Sequence, residues 1–138
     1  MSIQGGVDLL QQGRLAEAGA QFAAAASADP SNAVAHHLLG IVQLQAGAPE
    51  AGLASLRRSI ALDPNDPVTH GNLANALRDT GAAEEALASY SRALSLDPNF
   101  VEARCNRAML LARNGRLEEA LRDCDRALRV APDHPMTH

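Results

Sequence analysis

The chain of 138 residues has no lysine, no tryptophan, one tyrosine (Tyr90), two phenylalanines (Phe22 and Phe100) and two cysteines. Each shortage excludes something. Cys105 and Cys124 are too few for a disulfide framework and stand at no metal-ligand spacing. Positive charge comes from twelve arginines against sixteen acids, for a net charge of −4. That leaves no basic stripe interleaved with aromatics of the kind nucleic acid requires. No apolar run approaches the roughly 20 residues that span a membrane. The first residues, MSIQGGVDLLQQGR, offer neither a basic leader nor a continuous apolar stretch. The expectation is a cytoplasmic protein with neither nucleic acid nor membrane as partner.

What the chain does have is alanine and leucine. Apolar residues make up 46% of it, enough for a core. With so few rings, that core must be filled by close approach of backbones. Alanine- and leucine-rich segments almost free of β-branched runs read as helix throughout, so the fold class is all-α.

The helices are organised by a period. Pro30, Pro64, Pro98 and Pro132 recur every 34 residues, and Gly13, Gly47, Gly81 and Gly115 keep the same interval. So do three series of mostly small residues: Gly6, Gly40, Ala74, Ala108; Ala18, Gly52, Ala86, Ala120; and Ala25, Ser59, Ala93, Ala127. Each unit reads as two helical stretches, such as 67–80 and 83–95, with a turn at Gly81 between them and "DPN" at the close. Asp66 before Pro67 suits an N-cap and first-turn pair. Pro98 cannot continue the preceding helix and marks the exit to the next unit. One helix pair cannot bury its apolar faces alone, so the units are expected to stack.

This 34-residue period closely resembles the tetratricopeptide repeat, with the proline at position 32 and small residues at positions 8, 20 and 27. The resemblance implies an α-solenoid of helix-turn-helix units wound into a right-handed superhelix. It implies one domain over 1–134, with repeats at 1–32 (truncated at its start), 33–66, 67–100 and 101–134. Residues 135–138, PMTH, match PVTH at 67–70 in three of four places and read as the start of a fifth, truncated repeat. The family's large residues are weaker here. Position 4 holds Ser2, His36, His70 and Arg104; position 24 holds Phe22, Leu56, Tyr90 and Cys124. With Gly5 and Gly6 in a shortened first helix, residues 1–12 are expected to fray.

Catalytic constellations are missing, so the chain is not expected to be an enzyme or to carry a cofactor. QGGVD at 4–8 has two glycines but no lysine and no preceding strand. The pairs Glu84–Glu85 and Glu118–Glu119 fall in first helical turns, where they complement the helix dipole. His36 and His37 are adjacent and point about 100° apart on a helix, and His36 and His70 fill the slot of the family's ring, so no metal site is expected. Cys124 occupies a packing position. Cys105, at position 5, is expected to be exposed.

In this family the first helix of each repeat lines a concave groove. Carried over residue by residue, the groove candidates are His37, Leu38, Ile41 and Leu44 in repeat two, Asn72, Asn75 and Arg78 in repeat three, and Asn106, Met109 and Arg113 in repeat four. An amide carries both donor and acceptor and can clamp a peptide backbone bidentately. HGNLANAL at 70–77 is similar to the phrase of the asparagine ladder in O-linked N-acetylglucosamine transferase repeats, and RCNRAMLL at 104–111 keeps the Asn. CNRAMLLARNGRLEEALRDCDRAL at 105–128 is also similar to a repeat of the chaperone-binding carboxylate clamp. Asn75 and Asn106 match its asparagines, but Gly71 and Met136 stand where its lysines belong. Binding of a chaperone tail is therefore not expected. The leading expectation is a non-enzymatic module that holds an extended segment of a protein or peptide partner. The alternatives are the substrate-recognition arm of a glycosyltransferase-like enzyme continuing beyond residue 138, and self-association into a homo-oligomer through an uncapped C-terminal end.

Overall fold

A computed structural model describes residues 3–130. Among them are eight helices and no strand: α1 (Ile3–Gln11), α2 (Leu15–Ala28), α3 (Ala33–Gln45), α4 (Pro49–Leu62), α5 (Pro67–Asp79), α6 (Ala83–Leu96), α7 (Val101–Arg113) and α8 (Leu117–Val130). The expected fifth-repeat start at 135–138 lies outside the described residues.

The periodic glycines make the turns. Gly13, Gly47, Gly81 and Gly115 have φ of 75°, 83°, 88° and 78°, a region that costs a side-chain-bearing residue roughly 1–2 kcal/mol. Each closes the same double hydrogen bond over the helix end. After α5, Gly81 N–H donates to Arg78 C=O at 3.1 Å and Ala82 N–H to Leu77 C=O at 2.9 Å. The longer bond recurs as Arg14 to Leu9, Ala48 to Gln43 and Arg116 to Leu111. Between repeats the aspartates work: Oδ1 of Asp29, Asp63 and Asp97 each accepts from the backbone N–H two residues on, at 3.1 Å. Asp66 caps α5 as expected, accepting from Val68 N–H at 3.0 Å.

The helices divide into two compact units, Met1–Asn65 and Asp66–His138. In the first, α1 packs on α2, α2 on α3 and α3 on α4. In the second, α5 packs on α6, α6 on α7 and α7 on α8, with a lighter contact between α5 and α7. The small residues sit at the helix crossings. A Cβ on Gly40 would meet the Gly52 carbonyl at 3.1 Å and Leu56 Cγ at 2.9 Å, and a Cβ on Gly52 would lie 3.1 Å from the Gly40 carbonyl. So α3 and α4 cross with their backbones in near contact. Ala74 and Ala86 hold the same register in the second unit, both fully buried. Position 24 supplies the bulk behind these crossings: Phe22, Leu56 and Tyr90 are all completely buried.

The expectation that residues 1–12 fray meets a formed helix over Ile3–Gln11. Gly6 explains it. A Cβ there would stand 2.5 Å from Phe22 Cε1, so the bare backbone is what admits the ring of Phe22 against α1.

The polar residues at position 4 also find a use. His36 Nε2 donates to the Pro30 carbonyl at 3.1 Å, and Arg104 Nη2 donates to the Pro98 carbonyl at 3.1 Å, the same six-residue reach in repeats two and four. Each straps the first helix of its repeat to the turn before it.

Gly40→Val should therefore lower stability by about 2 kcal/mol, because the added methyls have only backbone and Leu56 to displace. Ala54→Val, exposed on α4, should cost no more than about 0.5 kcal/mol. Chemical denaturation of the two variants distinguishes them; equal losses would mean that the crossing is not close-packed.

Candidate peptide-binding face

The second unit gathers asparagines. Asn72 and Asn75 lie on α5 and Asn106 on α7, and all three line a pocket of about 180 Å³ with Val68, Gly71, Phe100, Glu102 and Ala103. The pocket exists partly because Gly71 has no side chain: a Cβ there would come within 3.2 Å of Phe100 Cε2. The Phe100 ring thus forms one apolar wall, held where α7 begins.

Asn75 ties the pocket together. Its Oδ1 accepts from Asn106 Nδ2 at 3.2 Å, from the Tyr90 hydroxyl, and from Arg78 Nη1 at 3.4 Å. Arg78 Nη1 also donates to the Tyr90 oxygen at 3.2 Å, and its Nε to Asp79 at 3.1 Å. Burial raises the pKa of the Tyr90 phenol, so it remains a neutral donor at physiological pH. Arg78 is therefore fastened alongside Asn75 rather than projecting freely.

Other candidates fall elsewhere. Met109 is half exposed and lines a different, apolar pocket of about 240 Å³ with Cys105, Leu117, Leu121 and Cys124. Arg113 is exposed in the last turn of α7. In the first unit His37, Leu38, Ile41 and Leu44 are all half-buried on α3. Leu38 packs against the cluster of Ala18, Phe22 and Val42, and the Leu44 side chain covers Gly52. Phe100 was not among the sequence candidates, although an aromatic in so ring-poor a chain, one residue before a helix, was a usable signal.

The cysteines reverse their expected places. Cys105 is buried and Cys124 exposed. Position 5 of α7 faces the α7–α8 packing, and burial pushes the Cys105 thiol pKa up. Cys124 lies at the register of Phe22 and Tyr90, yet it is exposed and lines the apolar pocket beside Leu117 and Leu121. Among the described residues no group of three or more His, Cys, Asp or Glu is placed to hold a metal ion, and no helix is long and apolar enough to cross a membrane. Glu84 and Glu85 stand in the first turn of α6, and Glu118 and Glu119 in that of α8.

Comparison with known proteins bears on this arrangement. Models of the tetratricopeptide repeat match residues 4–67 and 101–134, and a TPR repeat model matches 74–115. No curated protein matches by sequence. Among solved structures, MamA superposes with a TM-score of 0.87 at 20% identity, over 96% of this chain and 76% of that one. PilF of Pseudomonas aeruginosa gives 0.90 at 24% identity, over 98% and 62%. YrrB, described as a TPR protein with an unusual peptide-binding site, gives 0.85 at 26% identity, over 96% and 68%. The likeness shows the fold, an α-solenoid of helix-turn-helix repeats.

Brief alkylation with iodoacetamide under native conditions should modify the exposed Cys124 and spare Cys105, whose thiol is buried and has its pKa raised by that burial. Mass spectrometry of the digest reads this directly; modification of Cys105 at the same rate would contradict its burial.

Proposed function

The chain belongs to the tetratricopeptide-repeat family, and on that footing we propose that it is a non-catalytic protein-interaction module whose second unit holds an extended peptide segment across α5 and α7. The observation that carries this reading is the asparagine-lined pocket. Three amides meet there within one concavity walled by Phe100, which pairs backbone-type donors and acceptors with an apolar surface. Such sites suit a peptide main chain, because amides bind its N–H and C=O whatever side chains it bears. The bond from Asn106 Nδ2 to Asn75 fixes the Asn106 amide before any ligand arrives, which lowers the ordering cost of binding. The peptide-binding site named for YrrB supports the same class of ligand.

The exposed Val68, at the edge of this pocket, supplies an apolar contact for a peptide side chain. The first-unit residues His37 and Ile41 are a separate candidate surface, on α3.

Peptides selected against the chain from a display library provide the probe. Asn72→Ala with Asn106→Ala should weaken their binding roughly thirtyfold, from two hydrogen bonds at about 1 kcal/mol each. The melting temperature should fall by only a few degrees, because Asn75 keeps Tyr90 and Arg78 as donors. Unchanged affinity in the double variant, by calorimetry, would remove the pocket from the binding surface.

A further inference from the structure

Five of the twelve arginines line a single cleft of the second unit, of about 320 Å³: Arg104 and Arg107 from α7, Arg116 just before α8, and Arg122 and Arg126 on α8. Two carboxylates, Glu119 and Asp123, stand among them. The cleft is thus net positive on a chain whose total charge is −4. It shares no lining residue with the asparagine pocket.

The internal pairing accounts for only part of this charge. Asp123, buried, accepts from Arg107 through both oxygens, Nε to Oδ2 at 2.7 Å and Nη2 to Oδ1 at 2.5 Å, and from Arg104 Nη1 at 3.4 Å. Arg107 Nη1 also reaches Ser91 Oγ at 3.2 Å. Glu119 accepts from Arg116 Nε at 3.0 Å and Nη2 at 2.9 Å. Both carboxylates are then committed. Arg122 and Arg126, exposed and four residues apart on one face of α8, have no hydrogen-bonded or ion-paired partner among the described residues. The charge of Arg126 is felt inside: the Arg104 guanidinium is held below its ordinary pKa, by burial first, with Arg107 and Arg126 adding to it against the pull of Asp123. Arg122 adds a weaker pull to that of Arg116 on the Glu119 carboxyl.

Two like charges one turn apart destabilise a helix slightly unless an anion is supplied. Their Cβ atoms lie about 5–6 Å apart, whereas alternate side chains of an extended strand repeat every 6.6 Å or so. Guanidinium groups match carboxylates with a planar fork. A segment with acidic side chains at every second position presents carboxylates about 1 Å further apart than those Cβ atoms, a difference that the long side chains of Arg122 and Arg126 span, and the concavity has room for more of it than one anion. A single phosphate would instead call for guanidiniums converging on one point, and here three of the five are already held by protein carboxylates.

We propose that this cleft is a second binding surface, one that takes an acidic peptide segment of a partner protein on Arg122 and Arg126, over a floor set by the Arg107–Asp123 pair. It stands independently of the asparagine pocket.

The test uses a fluorescein-labelled peptide of alternating glutamate and serine, with a glutamine-for-glutamate peptide as its neutral counterpart, read by anisotropy on the full chain. The glutamate peptide should bind and the glutamine peptide should not, and binding should weaken as salt shortens the Debye length below about 8 Å. Arg122→Glu with Arg126→Glu should weaken it by roughly tenfold or more, whereas Arg57→Glu with Arg58→Glu, the same charge change on exposed positions of α4, should leave it within about twofold. Circular dichroism confirms that each variant is folded. Absence of binding, or equal loss in the two variants, overturns the proposal. So does displacement of the peptide by inorganic pyrophosphate at concentrations where free glutamate peptide has no effect, since the cleft would then be a phosphate site.

Discussion

How near two helices can come is set by what stands between their axes, and in this protein almost nothing does. At Gly40 and Gly52 the backbones of α3 and α4 are close enough that either residue's missing Cβ would fall 3.1 Å from the other's carbonyl. At Ala74 and Ala86 one fully buried methyl on each side keeps a similar approach. That closeness lets a chain with three aromatic residues build a core at all, because dispersion between backbones and methyls replaces what rings would supply. The glycine turns follow from it. Two helices packed this tightly need a short connection, and a residue with positive φ reverses the chain in the fewest residues.

With the rings gone from position 4, polar side chains take over a different task. His36 and Arg104 do not fill volume as an aromatic would; they reach back to a proline carbonyl that has no helical partner of its own. Arg104 brings a buried charge with it, and Asp123 is its answer, shared with Arg107. Breaking such a group by removing one partner is far costlier than leaving it intact. The arginine-lined cleft is thus built on a structural feature of the repeat, with Arg122 and Arg126 as the part left for something outside.

The repeat, its period, the turn glycines, the Asp66 cap and the helix limits near 67–80 and 83–95 were all legible in the sequence. Each depends on one residue and its neighbours: only glycine accepts φ near 80°, proline ends a helix by itself, and a small residue at a crossing is small whatever it touches. The contents of the site were less so. Which amide donates to which, and that Tyr90 sends its hydroxyl to Asn75, depends on side chains from three helices meeting across 15 to 31 residues of sequence. Cys105 and Cys124 exchanged their expected exposure for the same reason, since burial at a given register depends on which side chains of neighbouring helices pack over it. Phe100 escaped notice because its role comes from the side chain that Gly71 lacks.

A core of methyl groups and bare backbone also has a thermal signature. The rise in heat capacity on unfolding scales with the apolar surface newly wetted, and alanines crossing glycines hide less of that surface per residue than leucines packed around tryptophan. The stability curve of such a protein is correspondingly shallow. It loses less on cooling and bends more gently toward its melting point than a ring-filled domain of equal length, so its working range is broad even where its peak stability is modest.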